Sequence, residues 1–365
     1  MGMVIRVGIV GLQPGRSWAA LAHVPALQAL SADYAIAGVA NSSLASAEAA
    51  ARECGNPRAF SSVAEMAADP GIDLVAVTVK VPAHGPIVDA VLEAGKPIYC
   101  EWPIGNGLAE AAAMAAKARA KGVLAVAGTQ ARAAPAMRFV RDLVADGYVG
   151  TVLSSTLIGS GMNWGPQIEE VNAYTLDRAN GANMLTIPLG HTMAAVADVL
   201  GPVKELSATL ATRRREVLVV DTGAMRPMTA PDQVLVDGVL ESGAPISIHY
   251  RGGMPRGTGL LWEINGTEGD IRVTGMGGHA QFVPLAVEGA TGGDESLKPL
   301  EIPARYLPTE PLPMLVDNVV GMYAMIAADL RDDTRTAPSF EDAVATHRLC
   351  DAIERAAAEG RRVTV

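Results

Sequence analysis

The stretch Val4-Ile5-Arg6-Val7-Gly8-Ile9-Val10-Gly11-Leu12-Gln13-Pro14-Gly15 decides the fold. Its apolar run, residues 4–10, predicts a buried strand, because strands of parallel sheets are continuous apolar runs. A strand that runs into glycine and then into a helix places backbone N–H groups and a positive helix end where a pyrophosphate binds. We therefore predict a dinucleotide phosphate loop at Gly11, with contacts from Leu12, Gln13, Gly15 and Trp18.

The glycine spacing of this loop departs from the usual G-x-G-x-x-G pattern. Gln13 occupies the second glycine position, and Gly15 follows two residues later, so the loop is expanded. An ordinary strand-to-helix turn is the alternative interpretation. The position of the loop, as the first strand-to-helix turn of a βαβ series, favours the dinucleotide site.

That series continues through the first third of the chain. Apolar runs predict strands at Val4–Val10, Tyr34–Ala40, Leu74–Val79, Ile98–Cys100 and Val123–Ala127. Helices are predicted between them at Leu44–Cys54, Ile87–Ala94 and Leu108–Lys121. Alternation of strand and helix indicates a doubly wound parallel sheet. We predict an α/β Rossmann domain over residues 1–127.

The pattern changes near Gly150 to longer segments of alternating polarity, such as residues 232–240 and 245–252. Alternation of this kind predicts an antiparallel sheet with one solvated face, and Asn265–Gly269 reads as a turn between two strands. Residues 275–313, rich in glycine and proline, are predicted as a long irregular loop. Helices are predicted at Met314–Leu330 and Phe340–Glu359. We predict an α+β domain over residues 128–365, built on an open, mainly antiparallel sheet.

Composition narrows the possible functions. At 365 residues the chain exceeds the roughly 250 to 300 at which one core stops growing, and a net charge of −10 disfavours nucleic acid as a partner. The one tight basic run, Arg213-Arg214-Arg215, reads as a solvated turn. Cys54, Cys100 and Cys350 have neither disulfide-framework nor metal-site spacing, which favours a reduced, cytoplasmic setting without a metal. The start does not resemble a signal peptide, and no apolar window of membrane-spanning length is found, so we expect no membrane association.

The residues after the second predicted strand bear on cofactor choice. NAD-specific sites usually carry a carboxylate there to bind the ribose hydroxyls, whereas this chain has Asn41-Ser42-Ser43. Asn41 and Ser42 can hydrogen-bond a hydroxyl or a phosphate, so they are predicted cofactor contacts. The sequence leaves both NAD and NADP open.

His84, followed by VDAVLEAGKPIYCEWP at residues 88–103, resembles the Gfo/Idh/MocA oxidoreductases. The resemblance extends to HVPAL at 23–27, GYVG at 147–150 and PSFED at 338–342. Within the family the chain looks most like the branch that contains the yeast galactose-regulon repressor, through residues 11–27, the Glu101-Trp102 pair and LGHT at 189–192. That branch includes a protein that binds dinucleotide but acts as a regulator.

The resemblance implies hydride transfer between NAD(P) and a sugar-like or polyol-like substrate, with His84 and Glu101 near the cofactor. The family's catalytic Lys corresponds to Trp102 here, and its two motif Asp residues correspond to Ile187 and Ala194. Only the histidine, His191, remains of that relay. His191 is therefore the predicted acid or base; the alternative is a histidine merely hydrogen-bonded at the domain interface.

A second set of residues is predicted to contact substrate: Trp102, Gln130, Arg132, Asn163, Trp164 and Tyr174. Trp102 would shape the pocket or merely fill the space of a lost active site. Arg132 would anchor carboxylates or hydroxyls, or form a structural salt bridge. The aromatic residues would suit carbohydrate rings, or else belong to a surface loop or subunit contact.

Two functions follow from these observations. The first is an NAD(P)-dependent oxidoreductase acting on a carbohydrate-like small molecule in the cleft between the domains. The second is a non-catalytic dinucleotide-binding sensor, which the missing Lys and Asp residues favour. The resemblance further implies a homo-oligomer assembled through the C-terminal sheet.

Overall fold

The computed structural model describes residues 4–365, which form two compact units. The first unit extends to Thr129 and also contains Leu315–Val344, whereas the second contains Gln130–Met314 and Ala345–Val365. This division differs from the two continuous segments expected from the sequence, because the chain returns to the first unit near its end.

The first unit is built on a parallel sheet of six strands. They are β1 (Ile5–Val10), β2 (Tyr34–Ala40), β3 (Arg58–Phe60), β4 (Leu74–Val77), β5 (Ile98–Glu101) and β6 (Ala125–Gly128). Their order in the sheet is β3-β2-β1-β4-β5-β6. This is the order of the dinucleotide-binding Rossmann fold, in which ligands bind outside the carboxyl ends of the strands where the order reverses, between β1 and β4. The predicted fold class of this unit is confirmed.

The second unit contains a sheet of nine strands. The strands of this unit are β7 (Val152–Ser160), β8 (Gln167–Ile168), β9 (Val203–Ala211), β10 (Glu216–Val219), β11 (Ala224–Pro227), β12 (Gln233–Leu240), β13 (Pro245–Arg251), β14 (Leu260–Gly266), β15 (Gly269–Gly275), β16 (Leu285–Thr291), β17 (Lys298–Pro299) and β18 (Val363–Thr364). The large sheet has the order β17-β16-β15-β14-β7-β13-β12-β9-β18, and β8, β10 and β11 form a small second sheet. Within residues 4–365, β7 and β13 are the only neighbours in the large sheet that pair in parallel, so the mainly antiparallel architecture is confirmed.

The α-helices are α1 (Val24–Ala29), α2 (Leu44–Arg52), α3 (Val63–Ala68), α4 (His84–Glu93), α5 (Leu108–Lys121), α6 (Pro135–Ala145), α7 (Gly190–Leu200), α8 (Asp317–Asp332) and α9 (Phe340–Glu359). Two π-helical turns, Ala19–His23 and Leu185–Leu189, lead directly into α1 and α7. No helix within residues 4–365 is both long and apolar enough to cross a bilayer.

The return of residues 315–344 to the first unit has a packing cause. Helix α8 contacts α1 and buries Val319, Met322 and Ile326 completely. The segment after α8 then joins the sheet, where Ala127 donates its backbone N–H to the carbonyl of Pro338 at 2.8 Å. The first contact buries apolar side chains, and the second satisfies backbone polar groups of the sheet. This segment is therefore part of the Rossmann core.

The prediction of an irregular loop over residues 275–313 is wrong in its central part, residues 285–299. Strand β16 pairs with β15 along its whole length, and β17 adds a short further strand. The sequence of β16, Leu-Ala-Val-Glu-Gly-Ala-Thr, alternates weakly and contains Gly289. A side chain at Gly289 would come within 2.6 Å of the Tyr148 hydroxyl, so the glycine is needed for tertiary packing and does not mark a loop.

Candidate cofactor-binding and catalytic residues

Gly11 lies at the carboxyl end of β1, beside the point where the strand order reverses. Its φ of +96° is a conformation that favours glycine, and a Cβ there would lie 2.6 Å from the Cγ1 of Val79. The hydroxyl of Thr78 donates to the carbonyl of Val10 at 2.7 Å, which joins the ends of β4 and β1. The backbone of the predicted phosphate loop is therefore fixed at its first residue.

The expanded loop after Gly11 is closed by its own hydrogen bonds. The N–H of Gln13 donates to the hydroxyl oxygen of Ser17 at 2.9 Å, and that hydroxyl donates back to the Gln13 carbonyl at 3.0 Å. Gly15 has a φ of +66° and open space around it, whereas Leu12 is buried. Trp18 carries a buried Nε1 that has no hydrogen-bond partner within residues 4–365. A buried indole N–H in this state fits a hydrogen-bond donor to a ligand.

Asn41 braces the same loop from the end of β2. Its Nδ2 donates to the carbonyls of Leu12 at 2.8 Å and Ser46 at 3.1 Å, and these two acceptors fix the orientation of the amide. Its Oδ1 is buried and lacks a partner among the residues that the structure describes. Ser42, the next residue, is exposed. An unpaired acceptor at this position fits a ribose hydroxyl, so the residues present are compatible with a dinucleotide.

His84 begins α4 and is 1% exposed. Its Nε2 lies 2.9 Å from the carbonyl of Val79, and its Nδ1 lies 3.5 Å from the thiol of Cys100. Burial lowers the pKa of His84 and raises that of Cys100. Its Nδ1 also lies 3.2 Å from the carbonyl of Ile104, so the neutral ring can donate to only one of the Val79 and Ile104 carbonyls. The imidazole is hydrogen-bonded to Val79, in the loop that follows β4, and can affect a bound cofactor by holding this loop in place.

Glu101 is the last residue of β5 and is 9% exposed. Its Oε1 accepts a hydrogen bond from Nε2 of His23 at 3.0 Å. Trp102 follows with a cis peptide bond to Pro103 and is 5% exposed. The predicted cofactor residues Gly11, Asn41 and Glu101 thus stand at the carboxyl ends of strands of one sheet.

His191 is the second residue of α7, directly after the π-helical turn Leu185–Leu189. It is 4% exposed, and its Nδ1 has no hydrogen-bond partner within residues 4–365. Burial, with a smaller contribution from His279, lowers the pKa of His191 to about 3. The imidazole is therefore neutral at physiological pH and can accept or donate a hydrogen bond.

His279, absent from the sequence-based predictions, is the second buried histidine of this region. Its Nε2 lies 2.6 Å from the carbonyl oxygen of Gly161, and its Nδ1 lies 2.9 Å from Nε2 of Gln281. Burial lowers its pKa to about 4. A neutral ring with its proton on Nε2 satisfies both contacts. It was missed because residues 275–313 were predicted to be an irregular loop.

Gln130 and Arg132 lie in a 3₁₀ turn after β6, and this turn contacts α7. Gln130 is fully buried. Arg132 donates from Nη2 to Oδ1 of Asp198 at 2.8 Å, so it forms the salt bridge that was its alternative role. Asp198 also lies 3.5 Å from Nη1 of Arg141.

Trp164 belongs to the core of the second unit, since it is 1% exposed and donates from Nε1 to the carbonyl of Thr175 at 3.0 Å. Its ring stacks on that of His279 at 6.5 Å. Its φ of +59° is uncommon for a residue with a side chain. Asn163 is half-buried, and burial raises the pKa of the Tyr174 phenol. Trp164 therefore shapes the loop that carries Asn163 and supports His279.

The polar side chains of these regions that the sequence predictions omitted are mostly partners of the predicted ones. His23 and Tyr323 join Glu101 in the first unit, and His279 and Asp198 join His191 and Arg132 in the second. His23 belongs to the HVPAL segment, which indicated a resemblance to the family but no role for the histidine. No local pattern connects it to Tyr323, which lies 300 residues away.

Comparisons with known proteins match both halves of the chain. Residues 5–129 match the model described as an oxidoreductase family with an NAD-binding Rossmann fold, and residues 135–275 match the C-terminal domain of Gal80p. "Dehydrogenase aclE" of Aspergillus oryzae is 30% identical over 99% of this chain and 98% of its own length.

Two further proteins are similar. The galactose/lactose metabolism regulatory protein GAL80 of Saccharomyces cerevisiae is 27% identical over 78% of this chain and 69% of its own length. The crystal structure of a super-repressor mutant of Gal80p from the same yeast has a TM-score of 0.91 at 23% identity and covers 100% of this chain and 98% of that one. Levoglucosan dehydrogenase in complex with NADH and L-sorbose has a TM-score of 0.84 at 21% identity, over 100% of this chain and 99% of that one.

These matches agree with the NAD-binding sheet order, the glycine at the end of β1 and the motif around Glu101. The chain belongs to the Gfo/Idh/MocA oxidoreductase family, near its Gal80 branch.

Proposed function

We propose that this protein is an NAD(P)-dependent oxidoreductase that interconverts a hydroxyl and a carbonyl group on an uncharged, sugar-like or polyol-like molecule. The observation that carries the proposal is His191, a buried neutral imidazole whose Nδ1 has no partner within residues 4–365. Leaving such a nitrogen unsatisfied costs about 1 to 3 kcal/mol, which a substrate hydroxyl would recover.

The bound nicotinamide would supply the hydride acceptor or donor. Cofactor contacts are proposed for Gly11, Leu12, Gln13, Gly15, Trp18, Asn41, Ser42 and Glu101, with His84 supporting the adjoining loop. In this set the buried Trp18 Nε1 and Asn41 Oδ1 offer one donor and one acceptor. Neither Asn41 nor Ser42 carries a charge, so discrimination between NAD and NADP is expected to be weak.

His191 has a defined part in such a reaction. Oxidation of an alcohol to a carbonyl would release a hydride, for which the bound nicotinamide would be the acceptor, and the proton of the hydroxyl group. With a pKa of about 3, His191 is a weak base, and holding that proton at pH 7 would cost about 5 kcal/mol. His191 would therefore orient the substrate hydroxyl by a hydrogen bond. It would take up the hydroxyl proton only during hydride transfer and would then release this proton to water. Slow turnover is expected.

The charges of the second unit favour an uncharged substrate. Arg132 is paired with Asp198, and burial keeps both His191 and His279 neutral at pH 7. An anionic group would find no unpaired positive charge among these three side chains. Gln130, Asn163 and Tyr174 of the second unit are proposed to contact hydroxyl groups. Trp102, at the edge of the first sheet, is a separately proposed substrate contact.

A screen of sugars and polyols with both nicotinamides, followed by absorbance of the reduced cofactor, tests the function. We expect turnover of an uncharged compound. His191→Ala should abolish it, while cofactor affinity, measured by quenching of tryptophan fluorescence, should stay within about twofold. Unchanged turnover in His191→Ala would remove His191 from the mechanism.

A dinucleotide-binding regulator is the second candidate function. Trp102 stands where the family's catalytic Lys would be, and Ile187 and Ala194 replace two Asp residues. The similarity to GAL80 points in the same direction. Tight cofactor binding without turnover of any compound in the screen would favour this second function over the first.

A further inference from the structure

A chain of two hydrogen bonds runs through the interior of the first unit and ends at Glu101. The hydroxyl of Tyr323 lies 2.8 Å from Nδ1 of His23, and Nε2 of His23 lies 3.0 Å from Oε1 of Glu101. Tyr323 and His23 are fully buried, and Glu101 is 9% exposed. The three residues come from α8, from the π-helical turn before α1 and from the end of β5.

The phenol of Tyr323 and the carboxylate of Glu101, at the two ends of this series of hydrogen bonds, determine which atom donates in each bond. Burial raises the pKa of the Tyr323 phenol well above its usual value, so the phenol keeps its proton. It donates that proton to Nδ1 of His23, which leaves the proton of Nε2 for the carboxylate. Each bond then has one donor and one acceptor, and the bond to Glu101 is the stronger, charge-assisted type.

The surroundings hold His23 in a single orientation. Its ring centroid lies 5.2 Å from that of Tyr99 and 5.7 Å from that of Tyr323. The neighbouring Tyr34 donates its hydroxyl to the backbone carbonyl of Tyr323 at 2.7 Å, and not to the phenol that orients His23. The π-helical turn Ala19–His23 places the imidazole among these aromatic rings, and such turns occur frequently at functional sites.

The position of Glu101 makes this rigidity useful. It ends β5, which pairs with β4, and β4 pairs with β1 at the reversal of strand order. On the neighbouring strand, a side chain at Gly128 would come within 2.8 Å of Oε1 of Glu101, so the glycine gives the carboxylate its space. A fixed carboxylate at the ligand-binding edge of the sheet is suited to accept hydrogen bonds from the hydroxyls of a sugar ring.

We propose that His23 and Tyr323 are positioning residues that hold the Glu101 carboxylate ready for the hydroxyls of the nicotinamide-side ribose of the dinucleotide. The inference rests on the proposed use of a dinucleotide. Neither His23 nor Tyr323 touches the ligand. They act by holding the carboxylate in one orientation, which lowers the entropy lost when the ligand binds.

Two matched tyrosine variants test the proposal. Tyr323→Phe removes the phenol that orients His23, whereas Tyr34→Phe removes a buried phenol of the same aromatic cluster that bonds a backbone carbonyl instead. We expect Tyr323→Phe to raise the Kd for NADH by about threefold to tenfold, and His23→Leu by about tenfold or more, the effect of a lost hydrogen bond to a charged group. Tyr34→Phe should leave the Kd within about twofold. His23→Gln, which retains a donor, should fall between wild type and His23→Leu.

The adenine half of the cofactor provides the second readout. AMP lacks the nicotinamide ribose, so its Kd should be the same in wild type, Tyr323→Phe and His23→Leu, with thermal melting confirming that each variant folds. If Tyr34→Phe and Tyr323→Phe weaken NADH equally, or if AMP weakens in parallel with NADH, the positioning role is refuted and the cluster is only structural. If wild type binds neither NADH nor NADPH nor AMP, the dinucleotide proposal itself fails, and this inference fails with it.

Discussion

Arg132 and Asp198 form an ion pair at 2.8 Å in which both side chains are about one-fifth exposed. The pair joins the 3₁₀ turn after β6 to the last two turns of α7, the helix that begins next to His191. Asp198 lies seven residues after His191, so both residues project from the same side of α7. The charge of Arg132 is therefore balanced on the helix face that carries the proposed catalytic histidine.

Asp198→Asn tests whether this pairing selects uncharged substrates. The change would remove the Asp198 carboxylate from beside the guanidinium, so the affinity for a uronate relative to the uncharged sugar should rise by roughly tenfold. Inhibition constants of the two compounds, measured against a substrate from the screen, give the ratio. The double variant Asp198→Asn, Arg132→Gln should restore the wild-type ratio. An unchanged ratio in Asp198→Asn would place Arg132 outside the substrate site.

Ser42→Asp should create a preference for NAD. Ser42 is exposed and directly follows Asn41 at the end of β2, where a carboxylate would repel the 2′-phosphate of NADP. The ratio of the Kd for NADPH to that for NADH should rise roughly tenfold or more. Ser42→Asn, of the same size but uncharged, is the control and should leave the ratio within about twofold. A similar shift in both variants would contradict the electrostatic explanation.

The buried histidines should make the fold sensitive to acid. Burial lowers the pKa of His347, on α9, to about 4, whereas in the unfolded chain it titrates near 6.5. Between these values the unfolded state binds the proton and the folded state does not. Stability is therefore lost as the pH falls from about 6.5 towards 4, by about 2 kcal/mol at pH 5 from this residue.

Urea unfolding at pH 7.5 and pH 5 measures this loss. In His347→Gln the difference in free energy of unfolding between the two pH values should shrink by about 2 kcal/mol. Ala345→Gln, at an exposed position on the same helix, changes no titratable group and should leave the difference unchanged. Equal behaviour of the two variants would show that His347 does not take up a proton on unfolding.

The large sheet is the proposed surface for assembly into a homo-oligomer. Leu235 of β12 is 43% exposed and is paired with His249 of β13, which is paired with Ile158 of β7, so all three share one face. Leu235→Glu should lower the molar mass measured by light scattering to that of one chain. Leu153→Glu changes a leucine that is 49% exposed on the other face of β7 and should leave the mass unaltered. Dissociation by both variants, or by neither, would contradict assembly through this face.

The sequence predicted those features that depend on local patterns. Continuous apolar runs located β1, β2, β4, β5 and β6 to within a few residues, because a strand buried on both faces must be apolar throughout. Strand β3 has only the residues Arg-Ala-Phe and was not predicted. Helix α9 was predicted with its observed ends, since its length and apolar spacing are typical of a long surface helix.

Features that depend on distant contacts could not be predicted. His23 and Tyr323 meet only because α8 returns to the first unit. Arg132 had two interpretations until Asp198 was placed beside it. The aromatic Trp164 looked like a ligand contact, yet its indole N–H bonds Thr175 and its ring is enclosed. The role of a polar or aromatic residue depends on which residues it contacts, and these contacts are set only when the chain folds.

The return of residues 315–344 to the Rossmann unit has a consequence for protein engineering. A chimera that takes only the segment up to Thr129 from a relative would combine a foreign sheet with the native α8, whose Tyr323 must fit against His23. The two segments therefore form one exchangeable module. Grafting them together should transfer cofactor preference intact, whereas grafting the first alone would mismatch the buried surface beneath the new sheet.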